Sequence, residues 1–124
     1  MLYAILCYDH ESVVGSWTKD EDDAVMAKLG IVQEKMAARG LLGPVARLAG
    51  TTKAKTLKRS GSAMVVDGPF AETKEQLLGF FVVDCETIEE AIEFAKELGR
   101  AKESEGSYEI RPITYFAPNK LPTS

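Results

Sequence analysis

Asp67 is the residue best placed to do chemistry: it closes the apolar run Val65-Val66 and is followed at once by Gly68-Pro69-Phe70. A carboxylate at such a boundary can face a cleft, where burial raises its pKa towards acid–base work. Turn formation explains the same residue types, because Asp-Gly favours turns, proline fixes the backbone and the aspartate side chain caps the turn's own amides. His10 is the single histidine, and its ordinary pKa lies near neutrality. Beside Tyr8 and Asp9 it suits a general base or proton shuttle, with Tyr8 orienting a ligand; a solvated loop histidine is the plainer reading. Arg111, between Ile110 and Pro112, would pair with Asp67 or a substrate carboxylate if it points inward, since a buried arginine is rarely left alone. The candidate catalytic pair is therefore Asp67 and His10, and the candidate ligand-binding set is Tyr8, Asp67, Arg111 and Phe70. Neither metal nor cofactor is expected: Asp9, His10 and Glu11 are adjacent and would not converge on one ion, and there is no second histidine or spaced cysteine pair.

The elements that position these residues belong to one domain. At 124 residues the chain is too short for two independent cores. A hydrophobic share of 45% and a charged share of 27% are ordinary globular values. The net charge of −4 and pI near 5.1 argue against binding nucleic acid or an anionic membrane. The apolar opening, Met1 to Cys7, lacks a basic leader and is too short for a signal core, and no run approaches the roughly 20 residues of a spanning helix. Cys7 and Cys85 sit in apolar runs and read as reduced, buried thiols. A cytoplasmic location is expected.

Residues 2–8 are apolar at both odd and even positions, as in a strand covered on both faces, and a polar loop is expected over 9–17. Thr18 and Glu21 form a capping-box pair, and Val25, Leu29, Val32 and Met36 continue as a helical stripe that Gly40 ends. Residues 41–48 read as a marginal strand bent at Gly43-Pro44. Residues 51–59, with Lys53, Lys55, Lys58 and Arg59 on both sides, read as a lysine-protected outer strand paired in a hairpin with 63–67. Their lack of interleaved aromatics speaks against a nucleic-acid surface. Glu72, Lys74 and Glu75 suggest a solvated helical turn, and 77–84 an interior strand. A second helix starts at the Thr87/Glu90 pair, carries Ile88, Ala91, Ile92, Ala95 and Leu98, and closes at Gly99. The last strand is expected over 108–116. The domain thus spans 1–116, with 117–124 as a C-terminal tail.

Without its added hairpin this order is βαββαβ, the ferredoxin-like α+β plan, with both helices on one face of an antiparallel sheet. The strands over 2–8 and 77–83 are nevertheless apolar on both sides, and a monomer rarely leaves such a face wet. The expected remedy is a homodimer whose sheets meet face to face, burying about 800 Å² per partner.

The run from Val65 to Phe80, VVDGPFAETKEQLLGF, resembles the signature of the DGPF family within the YCII-related proteins. The strand opening at Met1, the Gly40-Leu41-Leu42 helix exit, Ile88-Glu89-Glu90-Ala91 and Glu109-Ile110-Arg111-Pro112 extend the similarity over nearly the whole chain. The resemblance implies a ferredoxin-like fold assembled as a dimeric α+β barrel. Members of that family are largely without an assigned reaction. Some are encoded beside sigma factors of the extracytoplasmic-function type, and some relatives are regarded as enzymes on the strength of a His–Asp pair in a cleft. The histidine of those relatives lies on the first helix, where this chain has Lys28-Leu29-Gly30-Ile31, so the pair is not carried over. The function expected is binding of a small organic molecule in a cleft of a homodimeric barrel, in a regulatory or accessory role. The alternative is a cofactor-free enzyme using Asp67 and His10 as acid and base; a purely structural module is the third reading.

Overall fold

The computed structural model describes residues 1–103 and 105–121, so the last three residues of the expected tail lie outside the described residues. Six strands and three helices follow in the order β1 (Leu2–His10), α1 (Glu11–Val14), α2 (Lys19–Ala38), β2 (Leu42–Arg47), β3 (Lys55–Lys58), β4 (Met64–Asp67), β5 (Glu75–Asp84), α3 (Ile88–Lys102) and β6 (Ser107–Pro112), with a 3-10 turn at Thr51–Lys53. β2, β5, β1 and β6 form an antiparallel sheet in that order. This is the strand order of the ferredoxin-like plan, with α2 lying between β1 and β2 and α3 between β5 and β6.

Strand alternation divides the sheet into two unlike faces. Tyr3, Ile5 and Cys7 of β1 point to the helices and join Phe81, Val83 and Cys85 in the core. α3 adds Ala91, Phe94, Ala95 and Leu98, and α2 adds Val32 and Met36. Phe81 and Phe94 meet edge to face, with centroids 6.0 Å apart, a favoured aromatic geometry. Leu2, Ala4, Leu6 and Tyr8 occupy the alternate positions of β1 and are half-buried. Across the ladders Leu77, Phe80 and Val82 share that second face, and among the described residues no helix lies over it.

Caps fix the helix starts. The Thr18 hydroxyl accepts from the Glu21 amide at 3.1 Å, and the Glu21 carboxylate accepts from the Thr18 amide at 3.0 Å, so the box is complete. At α3 the Thr87 hydroxyl accepts from the Glu90 amide at 3.3 Å, but the Glu90 carboxylate turns to the Glu86 amide at 3.4 Å. Gly40 takes φ +72° just beyond α2, the left-handed stop that its residue type allows.

Several boundaries differ from the sequence reading, each for a physical reason. β1 runs on through Asp9 and His10 and α1 follows directly, so the polar loop over 9–17 is mostly regular structure. α3 passes through Gly99 to Lys102 and ends at Glu103, φ 57°. Gly99 lies inside the helix beside the Tyr108 ring of β6, where a Cβ would make an ordinary contact at 3.4 Å, and it lacks the positive φ of a helix stop. The outer strand is no part of the main sheet: β3 pairs only with β4, in a separate two-stranded ribbon. Glu72 and Lys74 lie in irregular chain and Glu75 opens β5, so there is no helical turn, and β6 ends at Pro112.

Candidate functional site

The sequence candidates fall into three places. Asp67 ends β4 on the ribbon, where its exposed carboxylate accepts from Lys55 Nζ and the Gly68 amide donates to the Ala54 carbonyl at 2.8 Å. The turn and a surface ion pair therefore occupy it. Arg111 is exposed and pairs with Glu109 at 2.7 Å, not with Asp67. His10 closes β1 opposite Glu75, whose carboxylate accepts from the Ser107 hydroxyl at 3.1 Å.

Tyr8 and Phe70 are brought together. Both line an outer hollow of about 520 Å³, bounded by the end of β1, the start of β5 at Glu75, Gln76 and Leu77, residues 48–54, and residues 69–73 after the ribbon. Glu11 ties one wall in place by accepting from the Thr51 amide at 2.8 Å and from its hydroxyl. Gln76 holds the opposite wall by donating to the Ala71 and Thr73 carbonyls at 2.9 and 3.0 Å. Phe70 stands on the rim, 85% exposed. A hollow of this size, mostly apolar with a few polar groups, suits a small organic molecule.

A second constellation lies on the helix side and was not foreseen. Asp9 is 1% exposed, yet it sits on the core face of β1. Lys102, in the last turn of α3, reaches its Oδ2 at 2.9 Å, and the His10 amide donates to its Oδ1 at 2.7 Å. Burial of a charged pair is tolerable only with such close partners. Gly106 makes room: a Cβ there would stand 2.5 Å from the Tyr8 carbonyl and 3.2 Å from the Asp9 carboxylate.

Lys102 also lines an inner cleft of about 100 Å³ between the N-terminal half of α2 and the strands, with Cys7, Trp17, Val25, Leu29 and Tyr108 among its walls. A more open hollow of about 420 Å³ adjoins it and shares Trp17, Val25 and Lys102. Burial pushes the Cys7 thiol up to about 12, against the opposing charge of Lys102. The Tyr108 hydroxyl is likewise pushed up to about 12 by burial, helped by Cys7 and Asp9. Both stay protonated near neutrality, so neither is an activated nucleophile. Arg47 on β2 and Asp22 on α2 form a bidentate pair at 2.7 and 3.1 Å beside the cleft.

The sequence carried signals for this pair. Tyr3, Ile5, Cys7 and Asp9 are one period-2 series, and Ala91, Ala95, Leu98 and Lys102 continue one helical stripe. Reading Gly99 as a stop cut the stripe before Lys102, and reading Asp9 as loop removed its partner.

Among the described residues no helix is long and apolar enough to cross a membrane. The chain is 55% identical over 124 residues to an uncharacterised protein of Rhizobium meliloti (strain 1021), covering 99% of this chain and 100% of that one. The YCII-related domain matches residues 1–117, and the chain therefore belongs to the YCII-related family.

Proposed function

We propose that this protein is a cytoplasmic homodimer of the DGPF branch of its family that binds a small organic molecule in the outer hollow, with the partner's sheet completing the enclosure. The carrying observation is the sheet face opposite the helices, where Leu2, Ala4, Leu6, Tyr8, Leu77 and Phe80 are only half-buried, an apolar face that a monomer rarely leaves uncovered. The apolar sheet face continues into the outer hollow through Tyr8 and Leu77. An interface of about 800 Å² per partner would cover that face. The run Asp67-Gly68-Pro69-Phe70 supports the branch, and two free, buried cysteines suit a reducing compartment.

In this reading Tyr8 and Phe70 grip the ligand, and a regulatory or accessory role follows from binding without chemistry. Acid–base catalysis by Asp67 and His10 is the weaker alternative, because Lys55 already holds the Asp67 carboxylate. Sedimentation over a hundred-fold dilution range tests the dimer: a two-chain mass is expected for the wild type, and a one-chain mass for Phe80→Asp. A wild-type monomer at high concentration would overturn the proposal. A thermal-shift screen of small organic molecules tests the hollow, since specific binding raises stability by mass action. Hits should lose their effect in Tyr8→Ala, and Phe70→Ala should weaken them.

A further inference from the structure

We propose that the inner cleft beneath the N-terminal half of α2 is a second binding site, taking a small uncharged molecule with a compact apolar body and one carbonyl or hydroxyl oxygen that meets Lys102. The inference is independent of the outer hollow and of the dimer. Three observations carry it.

The first is shape. Val25 and Leu29 point to the sheet but are only half-buried, while Trp17, Leu78 and Phe81 complete a largely apolar wall. The volume of about 100 Å³ equals about three water molecules, the body of a five-membered ring.

The second is charge. Lys102, with its side chain 13% exposed, and Asp9 balance one another at 2.9 Å. A carboxylate ligand would add an uncompensated negative charge beside Asp9, and an ammonium ligand an uncompensated positive charge beside Lys102; both are costly in so dry a place. A neutral oxygen adds neither. The ammonium carries three donors, directs one to Asp9 and also forms part of the cleft wall.

The third is the rest of the polar lining. Cys7 and Tyr108 hold their protons at neutral pH; the Cys7 thiol donates to the Ile5 carbonyl at 3.8 Å, Tyr108 is a neutral donor, Gln33 adds an uncharged amide, and Arg47 is matched by Asp22. The cleft thus has hydrogen-bond donors but no unbalanced charge, which selects a neutral acceptor over an ion.

The test is titration of the full chain with cyclopentanone, cyclopentanecarboxylate and cyclopentylamine, followed by ¹H–¹⁵N spectra. Trp17 is the single tryptophan, so its indole N–H is a unique signal; it also lines the adjoining open hollow, and Tyr108, which lines the cleft and not that hollow, tells the two apart. Cyclopentanone should shift Trp17, Lys102 and Tyr108 with saturation, and bind at least ten-fold tighter than the carboxylate or the amine. Leu29→Trp, which fills the cleft and leaves the ion pair intact, should abolish the Lys102 and Tyr108 shifts, which the added second indole does not obscure. Equal or tighter binding of either ion, shifts centred on Tyr8 and Leu77, or no saturable shift would each overturn the assignment.

Discussion

The two long helices lie on the same face of one sheet, and both begin at a threonine cap, yet they are anchored differently. α3 buries Ala91, Phe94, Ala95 and Leu98 along its length and ends on the Lys102–Asp9 pair. α2 is five residues longer but buries only Val32 and Met36, both in its C-terminal half. Its first half stands off the sheet, and the inner cleft occupies the gap. α3 is thus the structural helix, while α2 trades packing for a space between layers. Incomplete packing is where a small domain has room for a ligand, and it is also where local opening is easiest.

The harshest way to break this contrast is to remove the charge that ends α3. Lys102→Met leaves Asp9 buried without its cation, and an expected loss of about 3–5 kcal/mol should appear in urea unfolding. Asp9→Leu combined with Lys102→Met removes both charges and should recover most of that loss. If the single variant is as stable as the wild type, Asp9 is not held in the dry, paired state described.

Next in size is a matched truncation in each helix. Leu98 is fully buried, so Leu98→Ala should cost about 2–5 kcal/mol. Leu29 lines the cleft and is only half-buried, so Leu29→Ala should cost about 1 kcal/mol or less. Similar costs at the two positions, measured by the same chemical denaturation, would mean that α2 is seated as firmly as α3.

The contrast also explains what could be read from residues alone. The α2 stripe and its box were legible because periodicity and capping are local. So was the two-faced apolar character of β1 and β5, which separates the covered and open sides of the sheet. The ribbon was legible as a hairpin but not as a detached one, since nothing local states whether Lys55 to Lys58 pairs beyond β4. Asp9 and Lys102 are 93 positions apart in sequence and meet through the packing of α3 on β1 and β6. Local rules assign a carboxylate to a loop and a glycine to a stop. Tertiary pairing overrode both: Lys102 compensates the carboxylate, and the helix that Lys102 ends runs on through Gly99 to reach it.

A cap deletion sharpens the contrast at a smaller scale. Because the first half of α2 has little packing, its start depends on the reciprocal Thr18–Glu21 box. Thr18→Ala should cost about 1 kcal/mol, and hydrogen exchange should speed up through the first two turns of α2. Thr87→Ala should leave exchange in α3 nearly unchanged, since Phe94 and Leu98 hold that helix whether or not it is capped.

The smallest effect is expected at the strut across the cleft. Hydrogen bonding to Arg47 lowers the Asp22 pKa below its ordinary 3.8, with the guanidinium charge adding to the shift. A group depressed in the folded state contributes stability above its unfolded pKa and loses it as pH falls through the lower folded value. The strut is therefore intact at neutral pH and releases only in acid below about pH 4. Both side chains are partly exposed, so screening limits the contribution to about 0.2–1 kcal/mol. Asp22→Asn should lower stability at pH 7 by that small amount and remove the acid-side dependence, so that variant and wild type converge as pH falls. With the strut gone, the Trp17 indole should exchange faster with solvent at neutral pH, and Leu98 and its neighbours in α3 should show no change. Equal loosening of both helices would mean that the cleft is not an independently opening part of the fold.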